Sequence, residues 1–403
     1  MNWLILLVSL IGICRVNECK KIYEDKVLLV SMDGFRWDYL ENIDTPNFDS
    51  FAAQGVKVRY MNNTFIPETF PCHFTMVTGL YEESHGIVGN YMYDPIFNES
   101  FGLSTHDSKW WEAGEPIWIT ATKKNKKSAT HFWPGSEVEF NGVRPAIWLQ
   151  YNETIPFEKR IETVVDWFAN KGVHFATLYF HEPDRTGHKY GPDSQEIKDK
   201  VKYMDGLLGS LILGLRENKL WDSINVIITS DHGMASVDVD NKLVDINDYV
   251  PANTVKMVPR DGAVIQILPE DGQEDVVFQA LKAKENEMHA TVYKKDDIPE
   301  RYHYKNNRRV APIVAIAEEG WLISDKPKKY SKLHSLGGHG YDNRFMSMKP
   351  IFLAHGPNFK VNYKQESIES VDIYPLICKL LGVNAAPNNG SLSNTAAMLK
   401  ANE

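Results

Sequence analysis

The feature that most constrains this chain is a repeated pattern: short apolar segments, each followed by polar residues that are able to bind a metal. KVLLVSMDG (26–34), VHFATLYFHEPD (173–184) and INVIITSDHG (224–233) have the composition of buried parallel strands. PIFLAHGP (350–357) has the same composition and precedes a helical IESVDIYPLICKLLG. Strands that alternate with helical stretches predict an α/β fold, with a mostly parallel central sheet covered by helices on both faces.

Acidic and histidine residues follow three of these segments. Asp33, Asp184 and the pair Asp231–His232 each come just after a predicted strand. In open sheets of this class, ligands bind outside the carboxyl ends of the strands. Separate parts of the sequence therefore converge on one edge of the predicted sheet.

The residues at this edge are of the types that bind zinc, which prefers imidazole and carboxylate ligands. Asp184 and His188 are four residues apart, so both can face one ion from a single turn. Asp231 and His232 are adjacent, and His339 lies in the glycine-flanked GGHGYDN. Alone, these signals have ordinary explanations: a surface pair, a capped turn and a loop histidine. Their placement at one edge favours metal binding.

Length and charge limit the function classes. The chain has 403 residues, 43% hydrophobic and 24% charged, which is a globular composition. A net charge of −9 argues against binding of a nucleic-acid duplex, although bound metal can make one pocket positive for a small phosphorylated substrate. The predicted organisation is a catalytic domain over residues 20–392, with an inserted α+β lobe over 254–325 and a C-terminal tail over 393–403.

The N-terminus predicts a secretory route. MNWLILLVSLIGIC is apolar but short for a membrane span, and the interpretation is a signal peptide within residues 1–19, cleaved after Cys14 or near Cys19. The alternative is a buried N-terminal element. The four cysteines do not form a disulfide framework, and no second apolar run is long enough to span a membrane. A secreted, extracellular protein is expected, or a cell-surface one if a C-terminal anchor is missing. Four glycosylation sequons begin at Asn62, Asn98, Asn152 and Asn389.

Longer motifs carry a closer resemblance. VLLVSMDGFRWDYL, FIPETFPCHFTMVTGLYEESHGIVGN, EPDRTGHKYGP, IITSDHGM and GGHGYDN resemble successive motifs of the ectonucleotide pyrophosphatase/phosphodiesterase family, of the alkaline phosphatase superfamily. The similarity covers roughly residues 25–392 and is greatest to the short, single-domain members, types four and five. It implies an alkaline phosphatase-like α/β/α sandwich.

The resemblance also implies the roles of individual residues. One zinc ion would be held by Asp33, Thr69, Asp231 and His232, and a second by Asp184, His188 and His339. Thr69 would be the nucleophile, forming a nucleotidyl-threonine intermediate that water releases as nucleoside 5'-monophosphate. Asn90 would bind the phosphate, and Phe70 and Tyr151 would enclose the base, although core packing is the alternative for both aromatic residues. The expected substrate contacts are therefore Phe70, Asn90, Tyr151 and Asp184.

Two positions depart from the family pattern. Glu68 stands where most relatives have lysine, and Cys72 where most have asparagine. Neither position is a ligand in the family. Glu68 is expected to make the mouth of the site more acidic, and Cys72 to be a packed small hydrophobe.

Several other functions remain to be weighed. The sequence lacks the C-x-P-x-R setting of sulfatases, and no cationic clamp for a phosphomonoester is evident near Thr69. The enzymatic alternative is the choline-phosphodiester or lysophospholipid branch of the family. A catalytically silent, glycosylated binding protein is the alternative from another class, although such a protein has no need of Thr69. We expect a monomer that acts on extracellular nucleotides such as ATP, ADP and dinucleoside polyphosphates.

Overall fold

The central strand of the protein is β1 (Val27–Met32), which is completely buried. The structure is a computed structural model that describes residues 25–328 and 335–401, so the predicted signal peptide (1–19) lies outside the described residues. The further strands are β2 (Val56–Asn62), β3 (Met92–Asp94), β4 (Glu99–Phe101), β5 (Ser128–His131), β6 (Ile147–Leu149), β7 (Phe175–Phe180), β8 (Asn225–Thr229), β9 (Ala235–Ser236), β10 (Leu243–Asp245), β11 (Val255–Arg260), β12 (Val264–Pro269), β13 (Ala290–Lys294), β14 (Ile313–Ala317), β15 (Leu322–Ser324), β16 (Gly337–Gly338), β17 (Phe352–His355) and β18 (Tyr363–Glu369).

Helices cover both faces of the main sheet. The helices of the described residues are α1 (Tyr39–Asn42), α2 (Pro46–Ala53), α3 (Thr69–Thr78), α4 (Glu82–His85), α5 (Ile117–Lys123), α6 (Phe157–Asn170), α7 (Asp184–Tyr190), α8 (Gln195–Glu217), α9 (Glu274–Lys282), α10 (Ile373–Leu381) and α11 (Ser393–Ala396). Of these, α9 does not cover the main sheet. Alternation along β1 explains the three layers. Val27 and Leu29 pack with α3, α5 and α10, whereas Leu28 and Val30 pack on the other face with α2, α6 and α8.

The main sheet has eight strands in the order β18-β2-β17-β8-β1-β7-β5-β6. β1 is parallel to both β7 and β8, so these three strands end at the same edge. The predicted alkaline phosphatase-like α/β/α architecture with a mostly parallel sheet is confirmed.

The prediction that PIFLAHGP forms another parallel strand is wrong, because β17 runs antiparallel to both β2 and β8. Before β17, Pro350 already forms a bridge with Arg36, just past the carboxyl end of β1. The chain therefore enters β17 from the ligand edge, whereas a parallel strand would need a crossover of about a dozen residues. The segment predicted to be helical after it begins as part of β18, and α10 starts only at Ile373.

The segment predicted as an inserted lobe forms a separate antiparallel sheet with the strand order β11-β12-β14-β13. It has its own core, in which Val277 and Leu281 of α9 pack against Ile265 and Val292. The domain boundaries stay predictions, but packing continues beyond residue 392. Met398 is buried, and Leu399 forms a bridge with Phe359, so most of the predicted tail is part of the packed structure.

Candidate metal centre and active site

Three strand ends deliver the acidic residues of the site. Asp33 follows β1, Asp184 begins α7 after β7, and Asp231 and His232 follow β8. Because β8, β1 and β7 are adjacent and parallel, these residues meet at one edge of the sheet, as the sequence predicts. Thr69 is the first residue of α3, which follows β2, and it lines a cavity together with Asp33 and Asp184.

Glycine allows the loops at this edge to approach closely. Gly34 has a φ of +68°, and a Cβ atom there would lie 2.8 Å from the Cα of Asp184. The backbone N–H of Asp184 donates to the carbonyl of Asp33 at 2.9 Å, which joins two of the loops directly. Gly337 packs in the same way on α7, where a Cβ would lie 2.3 Å from the carbonyl oxygen of Gly187. Side chains at these two positions would separate the site residues.

The first group of candidate ligands is Asp184, His188 and His339. The Oδ1 atom of Asp184 lies 3.4 Å from His188 Nε2 and 3.7 Å from His339 Nε2. The two Nε2 atoms are only 3.1 Å apart. The sequence-predicted trio therefore surrounds one point.

The second group, as predicted from the sequence, is Asp33, Asp231 and His232. In the structure these residues fall in two overlapping clusters, Asp33 with His73 and Asp231, and Asp33 with Asp184 and His232. His232 Nε2 lies 3.1 Å from Asp231 Oδ2 and 3.6 Å from Asp33 Oδ1. The rings of His232 and His339 stack with their centroids 3.6 Å apart, so the two groups adjoin. We call the six residues Asp33, Asp184, His188, Asp231, His232 and His339 the ligand cluster.

The ligand cluster fits divalent cations because four of its buried polar atoms make no hydrogen bond, although some lie within ion-pair distance of one another. Asp33 Oδ1, Asp184 Oδ1, Asp231 Oδ2 and His232 Nε2 are buried and make no hydrogen bond. The Nδ1 atoms of His188, His232 and His339 face the carbonyls of Gly337, Gly233 and Pro67 at 2.8, 2.9 and 2.8 Å. These contacts assign the proton to Nδ1 and turn the Nε2 lone pairs inward, the arrangement of metal-binding histidines.

The pKa shifts of the ligand cluster also indicate that positive charge is stabilised there. Burial, together with Asp231 and Asp184, raises the pKa of Asp33 well above its usual range. Burial opposes the charged form of His232, yet Asp231 and Asp33 raise its pKa to about 10. Protons thus gather where carboxylates crowd together, and a divalent cation can take their place.

Two residues that the sequence analysis did not single out complete this site. The hydroxyl of Tyr179 donates to Asp33 Oδ2 at 2.6 Å. His73, one turn after Thr69 on α3, has its Nδ1 2.7 Å from the carbonyl of Thr69 and 3.3 Å from Asp231 Oδ2. His73 therefore connects the helix that carries Thr69 to a candidate ligand. Its four-residue spacing from Thr69 was the available signal.

A cavity of about 580 Å³ opens beside the ligand cluster. Thr69, Phe70, Asn90 and Tyr151 all line it, together with Asp33, Asp184 and His188. Tyr151 is 43% exposed, so core packing does not describe its environment. The backbone N–H of Phe70 donates to Asn90 Oδ1 at 2.8 Å, which leaves the amide NH₂ of Asn90 as the donor for an incoming group.

The two positions that depart from the family pattern are both accommodated. The expectation that Glu68 makes the mouth more acidic is wrong, because the guanidinium of Arg260 pairs with Glu68 Oε1. Glu68 Oε2 accepts the backbone N–H of Asn90 at 2.8 Å. Cys72 is buried and unpaired with another cysteine, and burial raises the pKa of its thiol, so it packs as a small hydrophobe.

The four sequons differ in accessibility. Asn98, Asn152 and Asn389 are exposed, whereas Asn62 is half-buried at the end of β2 and donates to Glu369 Oε1 at 2.8 Å. Glycosylation stays a prediction at all four.

The fold and the site together define a class: an α/β sandwich with candidate metal-binding clusters and a threonine at the carboxyl edge of its sheet. A family model for type I phosphodiesterase/nucleotide pyrophosphatase matches residues 27–342. The chain belongs to this family of nucleotide pyrophosphatase/phosphodiesterase enzymes, as its motifs predict.

Relatives and solved structures agree with this assignment. The chain is 43% identical to human ectonucleotide pyrophosphatase/phosphodiesterase family member 5 over 93% of its own length and 78% of that protein. It is 41% identical to the bis(5'-adenosyl)-triphosphatase of Xenopus laevis, over 96% of this chain and 85% of the relative. An inactive variant of murine ectonucleotide pyrophosphatase/phosphodiesterase 5, solved in complex with AMP, matches with a TM-score of 0.89 at 44% identity, over 93% of this chain and 100% of that one. Among the described residues, no helix is both long and apolar enough to cross a membrane.

Proposed function

We propose that the chain hydrolyses phosphodiester or phosphoanhydride bonds of extracellular nucleotides, such as ATP, ADP and dinucleoside polyphosphates, and releases nucleoside 5'-monophosphate. The observation that carries the proposal is that Thr69 lines one cavity with Asp33, Asp184 and His188, members of both ligand groups. The relatives that are named for nucleotide chemistry support this substrate class.

Two zinc ions are the proposed cofactors. By the resemblance of the motifs, Asp33, Asp231, His232 and Thr69 would hold one ion, and Asp184, His188 and His339 the other. Bound zinc would supply positive charge that favours a deprotonated hydroxyl group and offsets charge on the phosphate. Three carboxylates and one deprotonated hydroxyl group would nearly balance two divalent ions.

Individual residues of the chain would have distinct roles in the reaction. The Oγ1 atom of Thr69 attacks phosphorus in line, so the Oγ1–P bond forms as the bond to the leaving oxygen breaks. Water next attacks the nucleotidyl-threonine, and Thr69 recovers its proton as the monophosphate departs. The amide NH₂ of Asn90 donates to a non-bridging phosphate oxygen, where negative charge is held during both steps. His73, through the carbonyl of Thr69, holds the start of α3 in position.

The remaining cavity wall suits a nucleoside. Phe70 packs its ring on Phe101 and Trp111, which fixes one aromatic surface, and Tyr151 presents another that is half exposed. A base that stacks on these rings would place its phosphate toward Thr69 and Asn90. The proposal includes that this pyrophosphatase activity takes place outside the cell or at its surface, where it would limit signalling by nucleotides.

The test is hydrolysis of p-nitrophenyl thymidine 5'-monophosphate by the purified, zinc-loaded protein. We expect activity that chelator abolishes and that Thr69→Ala lowers by on the order of 10⁴-fold, as for other lost nucleophiles. Thr163→Ala removes a half-buried hydroxyl on α6, outside the cavity lining, and is the matched control. Activity that survives Thr69→Ala, or that is independent of metal, would overturn the mechanism. Faster turnover of glycerophosphocholine than of ATP and diadenosine triphosphate would overturn the substrate class.

A further inference from the structure

The cavity beside Thr69 has an acidic wall with one permanently charged cation among its described lining residues. Asp33, Glu137, Glu153 and Asp184 contribute carboxylates, and Arg185 is the only lysine or arginine. Glu137 and Glu153 belong to neither group of candidate ligands. A nucleotide with several phosphates would therefore meet a fixed positive charge of the protein at Arg185 alone.

Arg185 is positioned to accept a phosphate. Its side chain is 62% exposed, and Nη2 lies 2.8 Å from Oε2 of Glu153, which is also half exposed. Exposed ion pairs of this kind contribute about 1 kcal/mol or less, so Arg185 can exchange Glu153 for a stronger anion at small cost. The planar guanidinium can donate two parallel hydrogen bonds to a phosphate group.

The side of the cavity on which Arg185 lies identifies which phosphate it meets. In an in-line displacement, the leaving group departs on the side of phosphorus opposite the nucleophile, here Thr69. The ligand group of Asp184 and His188 is the more open of the two, since His188 is 39% exposed and His232 is fully buried. Arg185 follows Asp184 in α7 and lines the cavity together with Asp184 and His188 of this more open group.

We propose that Arg185 is a specificity residue that binds the phosphates of the leaving group: the β- and γ-phosphates of ATP, or the corresponding phosphates of a dinucleoside polyphosphate. The inference rests on the proposed function and extends it.

Equilibrium binding gives a readout that does not depend on turnover. In a Thr69→Ala background, ATP and AMP are titrated calorimetrically into the zinc-loaded protein, with and without Arg185→Gln. AMP lacks the leaving-group phosphates. Hydrogen bonds to charged groups have a range of net strengths, and those of an exposed side chain such as Arg185 lie near the weak end of that range. We therefore expect the affinity for ATP to fall roughly tenfold relative to the affinity for AMP. Arg185→Lys should restore part of the difference, since it keeps the charge without the planar fork.

A kinetic comparison completes the design. With Thr69 intact, Arg185→Gln should lower kcat/KM for ATP and diadenosine triphosphate about tenfold relative to kcat/KM for p-nitrophenyl thymidine 5'-monophosphate, whose leaving group carries no phosphate. Lys189→Gln removes the same charge one turn further along α7, at an exposed residue outside the cavity lining, and is the matched control.

The outcomes separate this inference from the proposed function. Equal losses for ATP and AMP, unchanged ATP binding, or an equal shift in Lys189→Gln would overturn the role of Arg185. If the unsubstituted protein shows no zinc-dependent hydrolysis of the nitrophenyl ester, the proposed function fails first, and the role of Arg185 fails with it.

Discussion

Two groups of buried charges in this protein are built in opposite ways. In the ligand cluster, three carboxylates crowd together and several of their oxygens accept no hydrogen bond. In the Asp94 cluster, which consists of Asp94, Arg308 and Arg309, both arginines donate to the carboxylate at 2.8–3.1 Å, and the N–H groups of Ile96 and Phe97 also donate to it. Although burial opposes ionisation of Asp94, these donors hold its pKa well below the usual range, whereas the pKa of Asp33 is raised.

The difference shows how a site can be distinguished from a structural ion pair. A buried charge is tolerated when the protein itself supplies its partners, and the Asp94 cluster meets that condition. The ligand cluster meets it only in part, because His232 is one cationic partner for three carboxylates, and the remaining countercharge has to come from elsewhere. Four experiments test this contrast.

Metal removal should have the largest effect. Chelation should lower the rate of hydrolysis of the nitrophenyl ester by more than about 10³-fold. It should also lower the free energy of unfolding by about 4 kcal/mol, relative to protein with zinc at about 1,000 times its Kd. Thermal unfolding with and without added zinc measures the second quantity. An unfolding temperature that does not respond to zinc would contradict the contrast between the clusters.

Asp94→Asn should be the most destabilising of the single substitutions. It leaves Arg309, which is nearly fully buried, without its carboxylate, and loss of one partner of a buried pair costs about 3 kcal/mol. The loss, measured by denaturant unfolding, should be the same in zinc and in chelator. Asp240→Asn, on an exposed loop, is the control. A loss that depends on zinc would mean that the two clusters are not independent.

The effect of Asp33→Asn on the free energy of unfolding should have opposite signs with and without the metal. In chelator, removing one of three crowded carboxylates should raise the free energy of unfolding by about 1 kcal/mol, because repulsion and desolvation are both relieved. In zinc, the same substitution should be destabilising, because a candidate ligand is lost. Denaturant unfolding under both conditions checks the reversal, and destabilisation in both would show that the carboxylates are paired without metal.

The smallest effect should appear with pH. The folded-state pKa of Asp94 lies below its ordinary value, so the stability that it contributes is present above about pH 4 and is lost as the pH falls toward the folded value. The difference in unfolding free energy between the wild type and Asp94→Asn should therefore shrink by about 1 kcal/mol from pH 4 to pH 3. A difference that stays constant over this interval would contradict the assignment.

The site can be located from the sequence because its signals are local. A buried strand that ends in Asp33, and adjacent residues such as Asp231 and His232, place their side chains at a sheet edge whatever surrounds them. The direction of β17 could not be obtained in this way. An apolar strand has the same composition in either direction, and only the position of the preceding loop at the ligand edge decides the outcome.

Contacts between residues that are distant in the sequence could not be predicted either. Glu68 reads as an uncompensated acid, and Arg260 as one more charged residue of the lobe, because 192 positions separate them. His73 and Tyr179 have ordinary sequence contexts, and their roles depend on which side chains the fold brings within 3 Å. Such pairings belong to tertiary packing rather than to local pattern.

The contact between Arg260 and Glu68 has a consequence for how this protein can be recombined. Arg260 belongs to the lobe sheet, and Glu68 precedes the candidate nucleophile and accepts the backbone N–H of Asn90. A lobe transplanted from a relative with a different residue at position 260 would leave the half-buried carboxylate of Glu68, beside Thr69, without its cationic partner. The lobe and the catalytic edge are therefore exchangeable only as a unit, with this acid–base pair moving together.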